Sequence, residues 1–411
     1  MTRTAEVLVI GGGPAGAAAA AALAAAGRRV VLIERTPGPH DKVCGEFISQ
    51  EAAQYLHALG IEPRALGAEP IEAVRLSAGE PVAAAALPFT ALSLSRRVLD
   101  EAMLRGAVAR GAELLRGVRV RALQRHQSGW QARLEDGALV AGDAVFLATG
   151  KHDLKGWRRP PGRQPDLVAF KMHWQLAPGQ AAALARHVEL VLFAGGYAGL
   201  EPVEGGRANL CLLVRRRRLA ELGGSWPRLI AVIRAASPVL DARLGGAIPC
   251  WQRPLALASI PYGYILPPDG DDGPFRLGDQ AAVIPSFAGD GMAIALHSAR
   301  LATCCYLGGG GVADYRRLLA RDLGHGVGLA TLLSHSLVRR PGQRILGMAA
   351  RLRPRLMARV AGATRVPDAA LRRAGLEPSP RPDEQRGSIE GSGEESPAAF
   401  RRSQPENDCY S

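Results

Sequence analysis

The segment Val7-Leu8-Val9-Ile10-Gly11-Gly12-Gly13-Pro14-Ala15-Gly16 leaves the chain few folds to choose from. A short apolar run of strand type meets a glycine-rich turn. An Ala-dominated stretch from Ala17 to Ala26 follows, ended by Gly27, and a second apolar run occupies Val30 to Ile33. This order predicts a strand, turn, helix and strand, a βαβ unit with parallel strands. Within the turn, Gly11 permits the sharp passage from strand to helix, Gly13 lets the backbone approach a pyrophosphate, and Gly16 lets the helix pack close to the strands. The start of the helix at Pro14 offers free N–H groups from Ala15 onward and a partial positive charge. Glu34 ends the second strand eighteen residues after Gly16. A carboxylate there accepts hydrogen bonds from a ribose 2′-OH and repels a 2′-phosphate. The expected ligand is FAD or NAD, not NADP. A structural glycine turn with a surface glutamate would satisfy the turn alone, but not strand, turn, helix, strand and acid together.

Beyond this unit the pattern alternates. Thr36 to Gln50 reads as a Pro/Gly-punctuated loop, with helical patterning to Leu59 and again from Ser95 to Arg110. Val118 to Leu134 alternates like paired strands, and Ala144 to Ala148 is a buried strand running into Thr149-Gly150. Strand-like pieces at Leu167 to Trp174, Val188 to Phe193 and Ala208 to Val214 follow, with a helical stretch near Trp226 to Ala236. Phe275 to Leu277 then resembles another buried strand, and a helix is expected from about Gly289 to Tyr306.

These later segments carry a family resemblance. Gly278-Asp279 after a strand, then Pro285 and Gly289-Asp290-Gly291-Met292 opening a helix, resemble the second FAD motif of the flavoprotein superfamily that holds aromatic hydroxylases, geranylgeranyl reductases and flavin-dependent halogenases. Ser95-Arg96-Arg97-Val98-Leu99-Asp100 resembles that superfamily's Arg-x-x-hydrophobic-Asp helix start, and Ala148-Thr149-Gly150 its strand-end glycine. The resemblance covers about residues 5 to 340 and implies FAD as cofactor. It implies an α/β (α+β) fold, with a Rossmann-type FAD-binding domain interleaved with an antiparallel-sheet substrate domain and a helical C-terminal part. The expected division is 1–150 and 269–306 for the FAD-binding domain, 151–268 for the substrate domain, 307–374 for the helical region and 375–411 for a disordered tail.

The cofactor contacts implied are Gly11, Gly13, Pro14, Ala15, Gly16, Glu34, Arg35, Cys44, Arg96, Val120, Gly278, Asp279, Pro285, Gly289, Gly291 and Met292. Asp279 would accept from ribityl hydroxyls, and Arg96 would lie near the adenosine or diphosphate. The helix opening at Gly289 would aim its positive end at the flavin N1–C2=O edge.

Lys42-Val43-Cys44-Gly45-Glu46-Phe47 falls where the superfamily sets a loop against the flavin ring, and it resembles the Cys-Gly loop of the geranylgeranyl reductase branch. That branch carries another glycine where this chain has Glu46. Cys44 and Glu46 are the catalytic candidates. Cys44 could tune the flavin, bind it covalently or help protonate a substrate, against a packing role with a backbone contact to FAD; Glu46 could be a base or pair with Lys42 or an arginine. His173-Trp174 and Tyr262-Gly263-Tyr264 fall where pocket residues are expected, although such residues on strands more often belong to the core.

The formal charge of +13 is local: Leu337 to Ala374 holds ten Arg against one Asp. A general nucleic-acid partner is therefore disfavoured. The six cysteines show no metal-type spacing and no metal is expected; they read as reduced thiols, and neither an export leader nor a membrane-spanning segment is expected, so the protein reads as cytoplasmic. Arg351, Arg355 and Arg359 recur at helical spacing beside Leu352, Leu356 and Val360, with Pro354 interrupting. This is either a helix packed on its own domain or a peripheral contact with the inner face of an anionic membrane. The reading overall is an FAD-dependent oxidoreductase acting by hydride transfer on an apolar prenyl- or polyketide-like molecule, with NAD(P)H or a reduced carrier as electron donor. The alternative is a monooxygenase hydroxylating an aromatic or polyketide substrate.

Overall fold

The computed structural model describes residues 3–79, 82–126, 129–269 and 273–378. The expected disordered tail lies outside them beyond Pro378.

Strand Arg3–Ile10 pairs in parallel with Val30–Glu34 on one side and Leu139–Leu147 on the other. Glu113–Arg116 extends the array beyond Val30–Glu34, and Phe275–Arg276 pairs with the end of Leu139–Leu147. The start of Leu139–Leu147 instead takes the hairpin Val120–His126/Gly129–Leu134 in antiparallel fashion. Every residue of Val30–Glu34 is buried, as expected of a parallel strand covered on both faces. The helix Pro14–Ala25 packs between helices Arg96–Ala109 and Gly291–Leu307. Its buried face is almost wholly alanine, and such small side chains let the flanking helices approach closely. Two glycines are sterically obligatory. Gly11 has φ +109° and a Cβ there would lie 2.3 Å from the Ala148 carbonyl oxygen; a Cβ on Gly16 would lie 1.8 Å from the Gly11 oxygen.

The second sheet runs, from one edge, through Ile248–Pro249, Leu167–Gln175, Arg207–Arg215, Gly196–Val203, His187–Phe193, Glu69–Ser77, Ala83–Ser93 and Phe47–Ile48, with Leu255–Ala258 also on Leu167–Gln175. It is antiparallel except where His187–Phe193 meets Glu69–Ser77 in parallel. Three of these strands come from residues 47–93, a segment expected to belong wholly to the first part of the FAD-binding domain. The interleaving therefore begins about a hundred residues earlier than the sequence suggests.

Helices Val312–Leu337, Arg340–Leu352, Arg355–Ala363 and Asp368–Arg373 close the described chain. The arginine row at 351–359 is not one helix: the break at Arg353-Pro354 leaves Leu352 exposed and turns Leu356 and Val360 partly inward. No described helix is long and apolar enough to cross a membrane.

Candidate flavin site

The carboxyl ends of three adjacent parallel strands converge. The Gly11 N–H donates to the Ile33 carbonyl at 2.8 Å, the Ala148 N–H to that of Ile10 at 2.8 Å, and the Leu277 N–H to that of Leu147 at 2.9 Å. Brought together in this way, Gly11–Gly13, Thr149-Gly150 and Gly278-Asp279 line one continuous cavity of about 650 Å³, in the position where open α/β sheets take their ligands.

At one end the helix Pro14–Ala25 opens with no side-chain cap and no acidic residue in its first turn, so its N–H groups stay available to an anion. A Cβ on Gly13 would lie 3.4 Å from Arg96 Nη2 and 3.9 Å from Lys42 Nζ. Both cations are held by one carboxylate, Asp100: Arg96 donates to it at 2.7 and 2.9 Å and Lys42 at 2.8 Å. The two cations stand beside the bare Gly13 backbone and the open helix end, which together suit a diphosphate. Glu34 accepts from the Gly12 N–H at 2.7 Å and the Thr36 N–H at 2.9 Å. Burial pushes its carboxyl up, but the Lys42 charge and these N–H donors hold it below the ordinary carboxylate range. It is thus an ionised acceptor with lone pairs left for ribose hydroxyls.

Asp279 is half-buried on a single 3-10 turn, and its side chain lines the cavity while its backbone carbonyl takes Arg159 at 2.5 Å. Gly289, at φ +70°, packs its bare Cα against the Phe47 ring. The uncapped helix Gly291–Leu307 follows, with Gly291 and Met292 on the cavity wall. Arg35 sits exposed at the rim and Val120 forms buried wall. Gly16 and Pro285 do not line the cavity; they shape the turns that do.

The loop from Lys42 to Phe47 departs most from expectation. Glu46 has φ +66°, the left-handed region where glycine is favoured, and its side chain is wholly buried. It pairs with neither Lys42 nor an arginine side chain. Instead it accepts from the Arg96 N–H at 2.7 Å, from the equally buried Lys171 ammonium, and bonds His173 Nε2 at 2.7 Å. Burial raises its proton affinity, but Lys171 and His173 outweigh this and hold it below the ordinary range. A carboxylate so engaged is a poor base, which makes Glu46 a positioning residue. Cys44 lines the cavity, accepting the Glu46 N–H at 3.4 Å on its sulfur, and Asn209 grips the Cys44 and Gly45 carbonyls at 3.2 and 2.8 Å. Asp41, Glu46 and His173 bring ligand atoms within 4.8 Å of one another, but Lys171 already supplies the positive charge there.

His173 is wholly buried and stacks on Trp251, away from the cavity wall, whereas Tyr262 lines the wall and bonds the Ser286 hydroxyl at 2.9 Å. His297 bonds Tyr55 at 2.7 Å and Asp322 at 3.1 Å in a buried chain. Lys171, Asn209 and Glu201 were not singled out from sequence. The available signal was a lone charge inside an otherwise apolar strand, as in Val168-Ala169-Phe170-Lys171-Met172.

Residues 4–144 match the family described as FAD binding domain. This part of the chain is an FAD-binding domain. No curated protein matches the chain. Solved structures do, and at this identity they share its fold alone. A flavin-dependent brominase is 18% identical with a TM-score of 0.70, over 94% of this chain and 98% of that one. A geranylgeranyl bacteriochlorophyll reductase-like protein from Thermoplasma acidophilum is 17% identical with a TM-score of 0.69, over 95% and 99%. A probable FAD-dependent monooxygenase from Pseudomonas aeruginosa is 19% identical with a TM-score of 0.62, over 88% and 99%.

Replacing Glu34 by alanine should weaken FAD binding by about 1.5–3 kcal/mol, the range for a charged hydrogen bond. Flavin fluorescence titration of the apoprotein measures this, and an unchanged Kd would remove Glu34 from the ribose. Glu46→Gln should destabilise the fold by about 3–5 kcal/mol in urea unfolding, because it leaves Lys171 buried without a counter-charge. Glu46→Gln combined with Lys171→Met should recover most of that loss. Because the folded protein lowers the Glu46 pKa, its contribution is complete above the ordinary carboxylate value of about 4.3 and is lost as pH falls toward the folded value. The wild type should therefore lose stability below about pH 4 more steeply than Glu46→Gln; parallel pH profiles would refute the ion pair.

Proposed function

We propose that the protein reduces or oxidises an apolar, prenyl- or polyketide-like small molecule by FAD-dependent hydride transfer, with NAD(P)H or a reduced carrier renewing the electrons. The observation that carries this reading is the continuity of the flavin cradle with an aliphatic chamber. Val74, Leu76, Val188, Leu190 and Leu192 project from the second sheet, and Leu346, Met357 and Val360 from the C-terminal helices close over them. Such a chamber binds by excluding water from apolar surface and gives an ionic substrate little to hold. Gly199 enlarges it, because a Cβ there would meet nothing closer than 3.7 Å. Bound FAD would supply the two-electron chemistry. The chain's own part is to hold the ring between the Cys44 loop and the helix at Gly291, and to keep water out with its roof helices. The likeness to a reductase-like fold supports this reading; the likeness to a monooxygenase keeps oxygen insertion as the outcome the test must exclude.

Reduced holoenzyme, incubated without air with a panel of prenylated and polyketide compounds, should return a product that has gained hydrogen and no oxygen, as read by mass spectrometry. Gly199→Phe should abolish that turnover while retaining FAD. A product formed only in air, with oxygen incorporated and NAD(P)H consumed on substrate addition, would replace this reading by a monooxygenase.

We further propose that the roof helices rest on an anionic bilayer. Ile345, Met348 and Leu352 are 63%, 54% and 76% exposed, and no acidic residue occurs between Val338 and Pro367, where Arg344, Arg351, Arg355 and Arg359 flank them. Apolar side chains rimmed by arginines match the headgroup boundary of such a membrane, and Leu346 and Met357 on the same helices reach the chamber. The protein should float with phosphatidylserine vesicles at low salt, and neither at high salt nor after Ile345→Glu and Leu352→Glu together. Wild-type protein left in solution with those vesicles at low salt would remove the membrane from the account.

A further inference from the structure

On one strand of the chamber wall two side chains, Tyr197 and Glu201, each keep a buried oxygen without a hydrogen-bond partner among the described residues, and Glu201 is the acid of the two. Glu201, on strand Gly196–Val203, is 3% exposed and lines the cavity, and its Oε1 has no hydrogen-bond partner among the described residues. Its place follows from sheet register. Glu201 pairs with Asn209, which pairs in turn with His173, so these three side chains form one row across one face. The adjoining row is Gly199, Cys211 and Lys171. Lys171 gives its ammonium and His173 its Nε2 to Glu46, and Asn209 gives its amide N–H groups to the Cys44 loop, while His173 Nδ1 and Asn209 Oδ1 stay unpartnered among the described residues. Glu201 ends its row with no such duty, beside the open space at Gly199.

We propose that Glu201 donates a hydrogen bond to a carbonyl oxygen on the substrate, and so fixes the oxygen-bearing end of an otherwise apolar molecule. The proposal rests on the chamber being the substrate site. The groups that face Glu201 decide its form: burial, the Glu46 carboxylate and Cys44 push its carboxyl well above the ordinary range, while the Ser93 hydroxyl and the more distant Lys171 oppose this without reversing it. Burial without a cation in contact thus favours the protonated carboxyl, which carries a hydrogen to donate. A buried neutral acid with an unmade hydrogen bond is a cost to the fold, one that a leucine of similar volume would not impose. A substrate carbonyl removes that cost, and an all-hydrocarbon ligand does not. Discrimination of this kind exceeds what apolar contact achieves, because the wrong ligand leaves a buried polar group unpaired.

The test uses FAD-loaded enzyme and two probes of equal shape, acetylnaphthalene and ethylnaphthalene, which differ in a carbonyl against a methylene. Wild type should bind the ketone about tenfold tighter in calorimetric titration, the worth of one hydrogen bond. Glu201→Leu should erase the preference, Glu201→Gln should keep it through its amide donor, and both should retain full FAD content. In wild type the preference should fade as pH rises through the raised pKa of Glu201, since the donor proton is then lost; Glu201→Gln should show no such fading. Difference infrared spectra should show a protonated-carboxyl band that shifts on ketone binding and is missing from Glu201→Gln. If both probes bind and the preference persists in Glu201→Leu, or the band does not shift, the role of Glu201 is overturned while the chamber remains the binding site. If neither probe binds wild type, the substrate chamber itself fails and the inference fails with it.

Discussion

A buried carboxylate sits at the junction of the two sheets, and the site depends on it. Glu46 belongs to the loop that leaves the first βαβ unit; Lys171 and His173 belong to the second sheet, and the Arg96 N–H to the start of the helix that faces the diphosphate end of the cradle. Satisfying one loop anion from a strand and a helix start fixes the relative positions of all three to within a hydrogen-bond length. The backbone contributes strain, since φ +66° on a residue with a Cβ costs of order a kcal/mol, and it persists only because the surroundings over-determine it. Removing either charge alone would leave the other stranded, which is why a cluster of this kind serves geometry better than net stability. The geometry it secures is that of Cys44 and Gly45, whose carbonyls Asn209 also holds.

The carboxylates around the cavity divide by their neighbours. Glu34, Glu46 and Asp100 each face a cation or N–H donors and stay ionised, although burial works against them. Asp290, at the head of the helix Gly291–Leu307, is pushed up to about 7 by burial, with Arg365 and the hydroxyl of Ser49 pulling the other way. Glu201 has no ion-pair partner among the described residues, and burial displaces it toward the neutral acid. Ionised groups therefore anchor the cofactor end and the loop, whereas the chamber wall carries a proton donor. The separation follows from where cations are placed, not from residue type, because all five side chains carry the same functional group.

Local chemistry made much of this readable from sequence. The strand, glycine turn, alanine helix and terminal Glu34 lie within thirty residues and announce themselves by composition, and the helix after Ser95 carries its own cap, accepting the Val98 N–H. The Pro354 break in the arginine row was visible too. Strands Glu69–Ser77 and Ala83–Ser93 were not, because the second is built on Ala83-Ala84-Ala85-Ala86, which lacks the branched side chains that mark a strand and takes its state from pairing. The partners of Glu46 were hidden for another reason: Lys171 and His173 stand over a hundred residues away, and only sheet register brings them there. The glycine that the resembling branch carries at position 46 was a genuine clue, now explained by the positive φ.

The division of labour between the two sheets bears on why similar folds are attached to a brominase, a reductase-like protein and a monooxygenase. The parallel sheet presents backbone groups, glycines and helix ends, which recognise the invariant parts of FAD and leave little room for variation. The second sheet presents side chains at a spacing of two residues to the open side of the same cavity, where Val74, Leu76, Leu190 and Gly199 make no hydrogen bond to the cradle. Tyr197, Gly199 and Glu201 alternate along one strand on that face, giving a large ring, a space and an acid in succession. On the proposed reading, the choice of substrate falls to these inward positions of the second sheet, about which the cofactor motif carries no information.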